Sequence, residues 1–173
     1  MSESNANSIV EVRGSDKEGL GIFVTRPIEA GEVIRQVSIV RDVTDAVPLD
    51  PEKVEFPEHC SYPDGRMVLY DFPDRHMNHS CDPNIYYDYS VFPPTTRAIR
   101  DIEAGEELTV DYLINNSGGD SWTCHCGASR CRGETGTSFF DLPISLQNEY
   151  RVYLAPWFVE RHRQRLAYLD SER

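Results

Sequence analysis

Apolar and polar residues alternate in short bursts along most of this chain, and only its C-terminal part adopts a helical spacing. Residues 8–12 and 21–24 are brief β-branched runs joined across RGSDKEGLG, a polar and Gly-rich hairpin connection. Further strands are expected at 33–40, 68–72, 86–91, 95–100 and 108–112. The phrase Ile-Glu-Ala-Gly-Glu stands at 28–32 and again at 102–106, each copy a tight turn between strands. Between 44 and 65, Pro48, Pro51, Pro57 and Pro63 interrupt every periodic run, so residues of about 41–70 are expected to form an irregular insert. After Ser145 the period changes. Leu146, Tyr150, Leu154, Phe158, His162 and Leu169 approximate one face of helices at 145–154 and 157–169, with Pro156 an early residue of the second. The pattern predicts a mainly β domain with C-terminal helices.

At 173 residues the chain suits one compact domain. Acidic residues outnumber basic ones 29 to 17, a net charge of -12, which argues against direct nucleic-acid binding and against attraction to anionic membranes. A cationic partner would be steered in, although the same excess also keeps a small protein soluble. No stretch approaches the roughly 20 apolar residues of a membrane span, and MSESNANS lacks a signal-peptide pattern. An intracellular location, cytoplasmic or nuclear, is expected. The five cysteines, an odd number, suit a metal better than a disulfide framework.

Three of those cysteines lie in CHCGASRC as Cys124, Cys126 and Cys131, and a fourth, Cys81, sits far upstream in NHSCDPN. Four thiolates can close one tetrahedral zinc site, folding the end of the chain back over its middle. His125 is a competing ligand but is adjacent to two of the cysteines, and neighbours seldom point at one metal. Cys60 is left over as an ordinary free thiol. Burial of the cysteines as small apolar residues is the plainer reading of the cluster. Gly19-Leu20-Gly21 alone reads as a hairpin turn, since it lacks the third glycine of a dinucleotide fingerprint. Leu108–Tyr112 alone reads as a strand ending in a tyrosine.

In one order, Gly-Leu-Gly, NHSCDPN, GEELTVDY and the trailing CxCx4C resemble the SET-domain lysine methyltransferases with a post-SET zinc segment, over roughly residues 10–133. The resemblance implies a SET domain at 8–116, a post-SET zinc segment at 117–135 and a C-terminal helical extension at 136–173, with small curved β-sheets around a knot-like crossing. It implies S-adenosyl-L-methionine on one face and a lysine-bearing protein substrate, basic like a histone, entering from the other. Gly19, Leu20, Gly21, Asn78, His79, Tyr112 and Trp122 are then the cofactor-binding residues, with Tyr112 also catalytic at the channel. Cys81, Cys124, Cys126 and Cys131 hold one structural zinc.

Two positions depart from the family pattern. Val110 replaces the usual aromatic two residues before the tyrosine, which leaves room for di- or trimethylation. Val37 stands where a second tyrosine is expected, so Tyr70 is the candidate replacement in the substrate channel. Both departures favour an alternative function, a zinc-stabilised module that holds a lysine-bearing peptide without turnover. The absence of large flanking domains suits a compact stand-alone enzyme. Arg151, Arg161, Arg163 and Arg165, beside Trp157 and Phe158, suggest a partner or self-association surface, against the plainer reading of a solvated helix face. The oligomeric state is not legible in the sequence.

Overall fold

The computed structural model of the protein describes residues 8–171, with side chains through residue 167. Its strands, in chain order, are β1 Val10–Gly14, β2 Leu20–Val24, β3 Val33–Gln36, β4 Ile39–Asp42, β5 Cys60–Ser61, β6 Val68–Tyr70, β7 Asn78–His79, β8 Ile85–Asp88, β9 Thr95–Ala98 and β10 Glu107–Val110. They form three small sheets, with orders β1-β2-β10-β7, β3-β9-β8 and β4-β6-β5. The expected mainly β architecture is present.

The first sheet carries Leu20, Gly21, Asn78, His79 and Val110 of the candidate site. β1 and β2 pair as an antiparallel hairpin from Val10↔Val24 to Gly14↔Leu20. β10 lies antiparallel to β2 and parallel to β7, with Thr109↔Asn78 and Val110↔His79 in register. A strand from near residue 108 is thereby wedged between segments from the start and the middle of the chain. Lying at the centre, β2 buries Gly21, Ile22, Phe23 and Val24 consecutively rather than alternately, as a strand covered on both faces does.

The two Ile-Glu-Ala-Gly-Glu phrases are structural repeats. Gly31 and Gly105 take left-handed φ values of 82° and 83°, and Ile28 and Ile102 bond each other through both amides at 2.9 Å. Each turn is clasped by an arginine six residues before its last glutamate, Arg26 to Glu32 at 2.6 Å and Arg100 to Glu106 at 2.5 Å.

Several expectations need correction, among them the strands expected at 86–91 and 95–100, which end at Asp88 and Ala98. The single strand at 33–40 is two, because the backbone changes sheets at Val37 and Ser38: Val37 N–H bonds Pro94, and Ser38 N–H bonds the Asp74 carboxylate at 2.8 Å. The insert is not wholly irregular, since β5 and β6 pair antiparallel within it. The strand ending at Tyr112 stops at Val110, where the chain turns at Asp111.

At the C-terminus, α1 (Ile144–Tyr150) runs into a 3-10 turn at Arg151–Tyr153 instead of continuing to Leu154. The expected second helix is divided into α2 (Pro156–Arg161) and α3 (Arg163–Ser171), because His162 leaves helical geometry at φ -110°, ψ 20°. The side chain of Leu169 lies outside the described residues, as do residues 1–7 of the N-terminal segment. Tyr150, Ala155, Phe158 and Leu166 pack with Leu113, Phe139 and Leu142 in a core of their own. Leu113 directly follows Tyr112, so the helices brace the segment just past β10. Among the described residues no helix is long and apolar enough to cross a membrane.

Candidate active site and metal centre

The parallel pairing of β7 with β10 sets Asn78 and His79 beside Thr109 and Val110, two residues short of Tyr112. The Asn78 side-chain amide donates to the carbonyls of Glu18 (3.1 Å) and Leu20 (3.0 Å) and to Glu107 Oε1 (2.8 Å). Glu107 Oε1 also receives the Ser15 hydroxyl at 2.8 Å. A Cβ on Gly21 would stand 2.2 Å from Glu107 Oε1 and would displace that carboxylate from Asn78 and Ser15, while Gly19 turns the loop at φ +46°. Leu20 between them is exposed. The Gly-Leu-Gly loop is thus fastened to the Asn78 end of the motif.

His79, Tyr112 and Trp122 form a triangle of rings, with centroids 5.2 Å apart for His79–Tyr112, 5.7 Å for His79–Trp122 and 6.1 Å for Tyr112–Trp122. Tyr112 and Trp122 keep 44% and 37% of their surface, so the triangle is open on one side. The Tyr112 hydroxyl nevertheless reaches inward and donates to the Met77 carbonyl at 2.6 Å, and burial pushes its pKa up to about 12. Burial also lowers the His79 imidazole to about 4, against the opposing pull of Asp111, so its ring is neutral at pH 7.

The sulfurs of Cys81, Cys124, Cys126 and Cys131 all lie within 4.8 Å of one another, and Cys81 Sγ is 3.7 Å from Cys124 Sγ. Four thiolates around zinc at about 2.3 Å stand roughly 3.8 Å apart, so the donor set and its spacing fit that ion. Burial opposes ionisation of Cys126, but amide hydrogen bonds from Cys81 and Ala128 outweigh it and bring the thiol down to about 6. His125 is exposed and outside the group. Cys60 is also separate, its thiol directed at the Phe56 carbonyl.

Several fastenings of the cysteine segment escaped the sequence reading. Arg132 forms a bidentate pair with the buried Asp111, the residue before Tyr112. Arg130 pairs with Glu149 of α1 at 2.8 Å and with Asp82 at 3.6 Å. Lys17 Nζ donates to the Cys126 carbonyl at 3.1 Å, and the Tyr150 hydroxyl to the Cys81 carbonyl at 3.4 Å. A charged residue adjoining each motif, Arg132 after Cys131 and Asp111 before Tyr112, was the available signal.

The channel candidates separate. Val110 is buried in the main core, whereas Tyr70 lies with Val37 and Val68 in a smaller cluster, its hydroxyl 3.4 Å from that of Tyr89. Tyr87, which the sequence reading passed over, packs against both clusters. Its hydroxyl is held well above the usual phenol value by burial and then by Tyr89, Asp74 and Tyr112. The C-terminal arginines are internally engaged: Arg161 pairs with Asp64, Arg163 with Glu160, and Arg165 lies over the Phe140 ring.

Among known families, residues 19–113 match the one described as SET domain. An H3 lysine-36-specific histone-lysine N-methyltransferase of Aspergillus oryzae is 44% identical over 66 residues, 36% of this chain and 7% of that protein. One from Yarrowia lipolytica is 30% identical over 141 residues, 73% of this chain and 18% of its own length. A histone-lysine N-methyltransferase of Arabidopsis thaliana is 33% identical over 139 residues, 70% of this chain and 37% of its own. The chain therefore spans well under half the length of these relatives. The match begins at Gly19 and ends one residue past Tyr112, enclosing Gly19-Leu20-Gly21, the NHSCDPN turn and the tyrosine described above, and on that basis the chain belongs to the SET-domain family.

Proposed function

We propose that this protein transfers a methyl group from S-adenosylmethionine to the side-chain amine of lysine in a basic protein, with histones the first substrates to test. The observation that carries the reading is the meeting of His79, Tyr112 and Trp122 in one open triangle beside the four-cysteine centre, with neighbouring Asn78 fastened to the Gly-Leu-Gly loop. Bound S-adenosylmethionine supplies an electrophilic methyl group on a sulfonium. Gly19, Leu20, Gly21, Asn78, His79 and Trp122 are its binding residues, and Cys81, Cys124, Cys126 and Cys131 hold a structural zinc. The SET unit takes residues 8–116, the zinc segment 117–135 and the helical extension 136–173.

Lysine has an unperturbed pKa of about 10.4 and must arrive neutral to act as a nucleophile. The apolar wall at Val110 disfavours the charged amine by desolvation. Tyr112 and the Met77 carbonyl orient the lone pair, so alignment supplies most of the acceleration. Tyr87 takes the part of the second aromatic that Val37 does not supply, with Tyr70 behind it. That substitution weakens the case for a peptide-binding module without turnover. The net charge of -12 steers a basic substrate toward the site. Labelled S-adenosylmethionine, incubated with the zinc-loaded protein and a panel of histones and other basic proteins, should leave label on a lysine that peptide mapping identifies. Absence of label across the panel, with the donor shown to bind, would leave the peptide-binding reading in its place.

A further inference from the structure

His79 faces two partners through its two ring nitrogens. The backbone N–H of Tyr112 donates to Nδ1 at 3.2 Å, and an amide N–H has no capacity to accept. Nδ1 must therefore present its lone pair. Asp111 Oδ1, at 3.8 Å from the same nitrogen, is too distant to compete, and its carboxylate is already bonded by Arg132 and by the Leu113 amide. The ring proton consequently sits on Nε2, which lies 3.4 Å from Cys81 Sγ.

We infer that His79 is a positioning residue for the metal centre: its Nε2–H donates a hydrogen bond to the Cys81 sulfur while its Nδ1 holds the Tyr112 backbone. This rests on the reading of the four cysteines as a metal site and goes beyond the binding role given to His79 above. In the metal-loaded centre Cys81, Cys124, Cys126 and Cys131 are all thiolates, so Cys124, 3.7 Å away, cannot serve as donor to Cys81. Backbone amides also donate to these sulfurs, those of Cys81 (3.4 Å) and Ala128 to Cys126 and that of Arg132 to Cys81, so His79 is the side-chain donor beside the Arg132 amide on Cys81. Hydrogen bonds from such outer partners orient metal ligands and commonly change metal affinity by about 10- to 100-fold when removed. The imidazole is 9% exposed, so water does not readily replace it.

Two substitutions divide its roles. The amide nitrogen of glutamine can occupy the place of Nε2, whereas the shorter asparagine offers an acceptor near Nδ1 and nothing to Cys81. Zinc release to a chromophoric chelator is followed for the wild type, His79→Gln and His79→Asn, alongside the sulfur-to-metal charge-transfer band of each cobalt(II)-loaded protein. His79→Asn should lower metal affinity by about 10- to 100-fold and shift the band, while His79→Gln stays within a few-fold of the wild type with its band in place. Equal losses in both variants, or a His79→Asn protein with unchanged release and band, overturn the inference. A wild type that binds neither ion overturns the metal reading with it, which separates the two failures.

Discussion

Arg132 and Asp111 meet in a two-armed ion pair, Nη1 to Oδ2 at 2.6 Å and Nη2 to Oδ1 at 3.0 Å, with no part of the Asp111 side chain exposed. One residue follows the last cysteine and the other precedes the tyrosine. The pair therefore clamps the cysteine segment to the strand end without metal. Removing Arg132 leaves a carboxylate buried and uncompensated, so Arg132→Ala should cost about 3–5 kcal/mol in denaturant unfolding of the metal-loaded protein. Arg132→Ala with Asp111→Ala should recover much of that loss. A single variant within about 1 kcal/mol of wild type would contradict the clamp.

Tyr112→Phe keeps the ring against His79 and Trp122 and removes only the hydroxyl bonded to Met77. Methyl transfer should fall by about 100-fold or more if alignment is its main contribution. Stability should change by only about 1 kcal/mol, the net value of one hydrogen bond. Calorimetry should find donor affinity close to wild type, and a variant retaining full turnover would remove Tyr112 from the chemistry.

Cys81→Ser removes one of four sulfurs from the centre that pins the Trp122 wall. Metal content should drop and S-adenosylmethionine affinity should fall with it. Undiminished donor binding in a protein stripped of zinc would show that the clamp at Arg132 suffices alone.

On the proposed function Val110 sets the room beside the substrate amine, and the wild type should then yield di- or trimethyllysine at long reaction times. Val110→Phe should restrict the product toward monomethyllysine, at an overpacking cost of about 1–3 kcal/mol in this buried position. Mass spectrometry of the modified peptide reads both. Strictly monomethyl product from the wild type would assign the limit to another residue.

The raised pKa of Tyr112, about 12 against an ordinary 10, means the folded protein keeps this proton after the unfolded chain has lost it. Its contribution to stability is therefore intact below pH 10 and is lost as pH climbs from about 10 to about 12. The difference in phenolate absorbance between wild type and Tyr112→Phe should appear near pH 12. A difference already complete at pH 10 would mean that the hydroxyl is not enclosed.

Local chemistry made part of this molecule legible. The hairpin of β1 and β2, the two glycine turns and the convergence of the four cysteines rest on residue types whose constraints act within a few positions or through a donor set that suits one ion. What was not legible depends on partners distant in sequence. The strand break at Val37 and Ser38 needs Pro94 and Asp74, the β7 pairing needs Thr109, and the Arg132 clamp needs Asp111. No period or spacing near Val37 announces those contacts. Tyr87 was overlooked for the same reason, since its place between two clusters exists only after the sheets have packed.

The wedged position of β10 also governs when the molecule can acquire its centre. Its register with residues 22–23 on one side and 78–79 on the other closes loops of very unequal length, the longer enclosing more than eighty residues. Pairings of such separation form slowly, because much chain entropy is lost before any contact compensates for it. Cys81 lies two residues beyond the parallel pair and Cys124 past the strand itself. A chain emerging from the ribosome thus holds no complete ligand set until both the strand and the segment after it have been made. On the metal reading, the full set of four thiols is therefore assembled only late in synthesis, and an ion bound there would tie together the same distant segments that β10 joins.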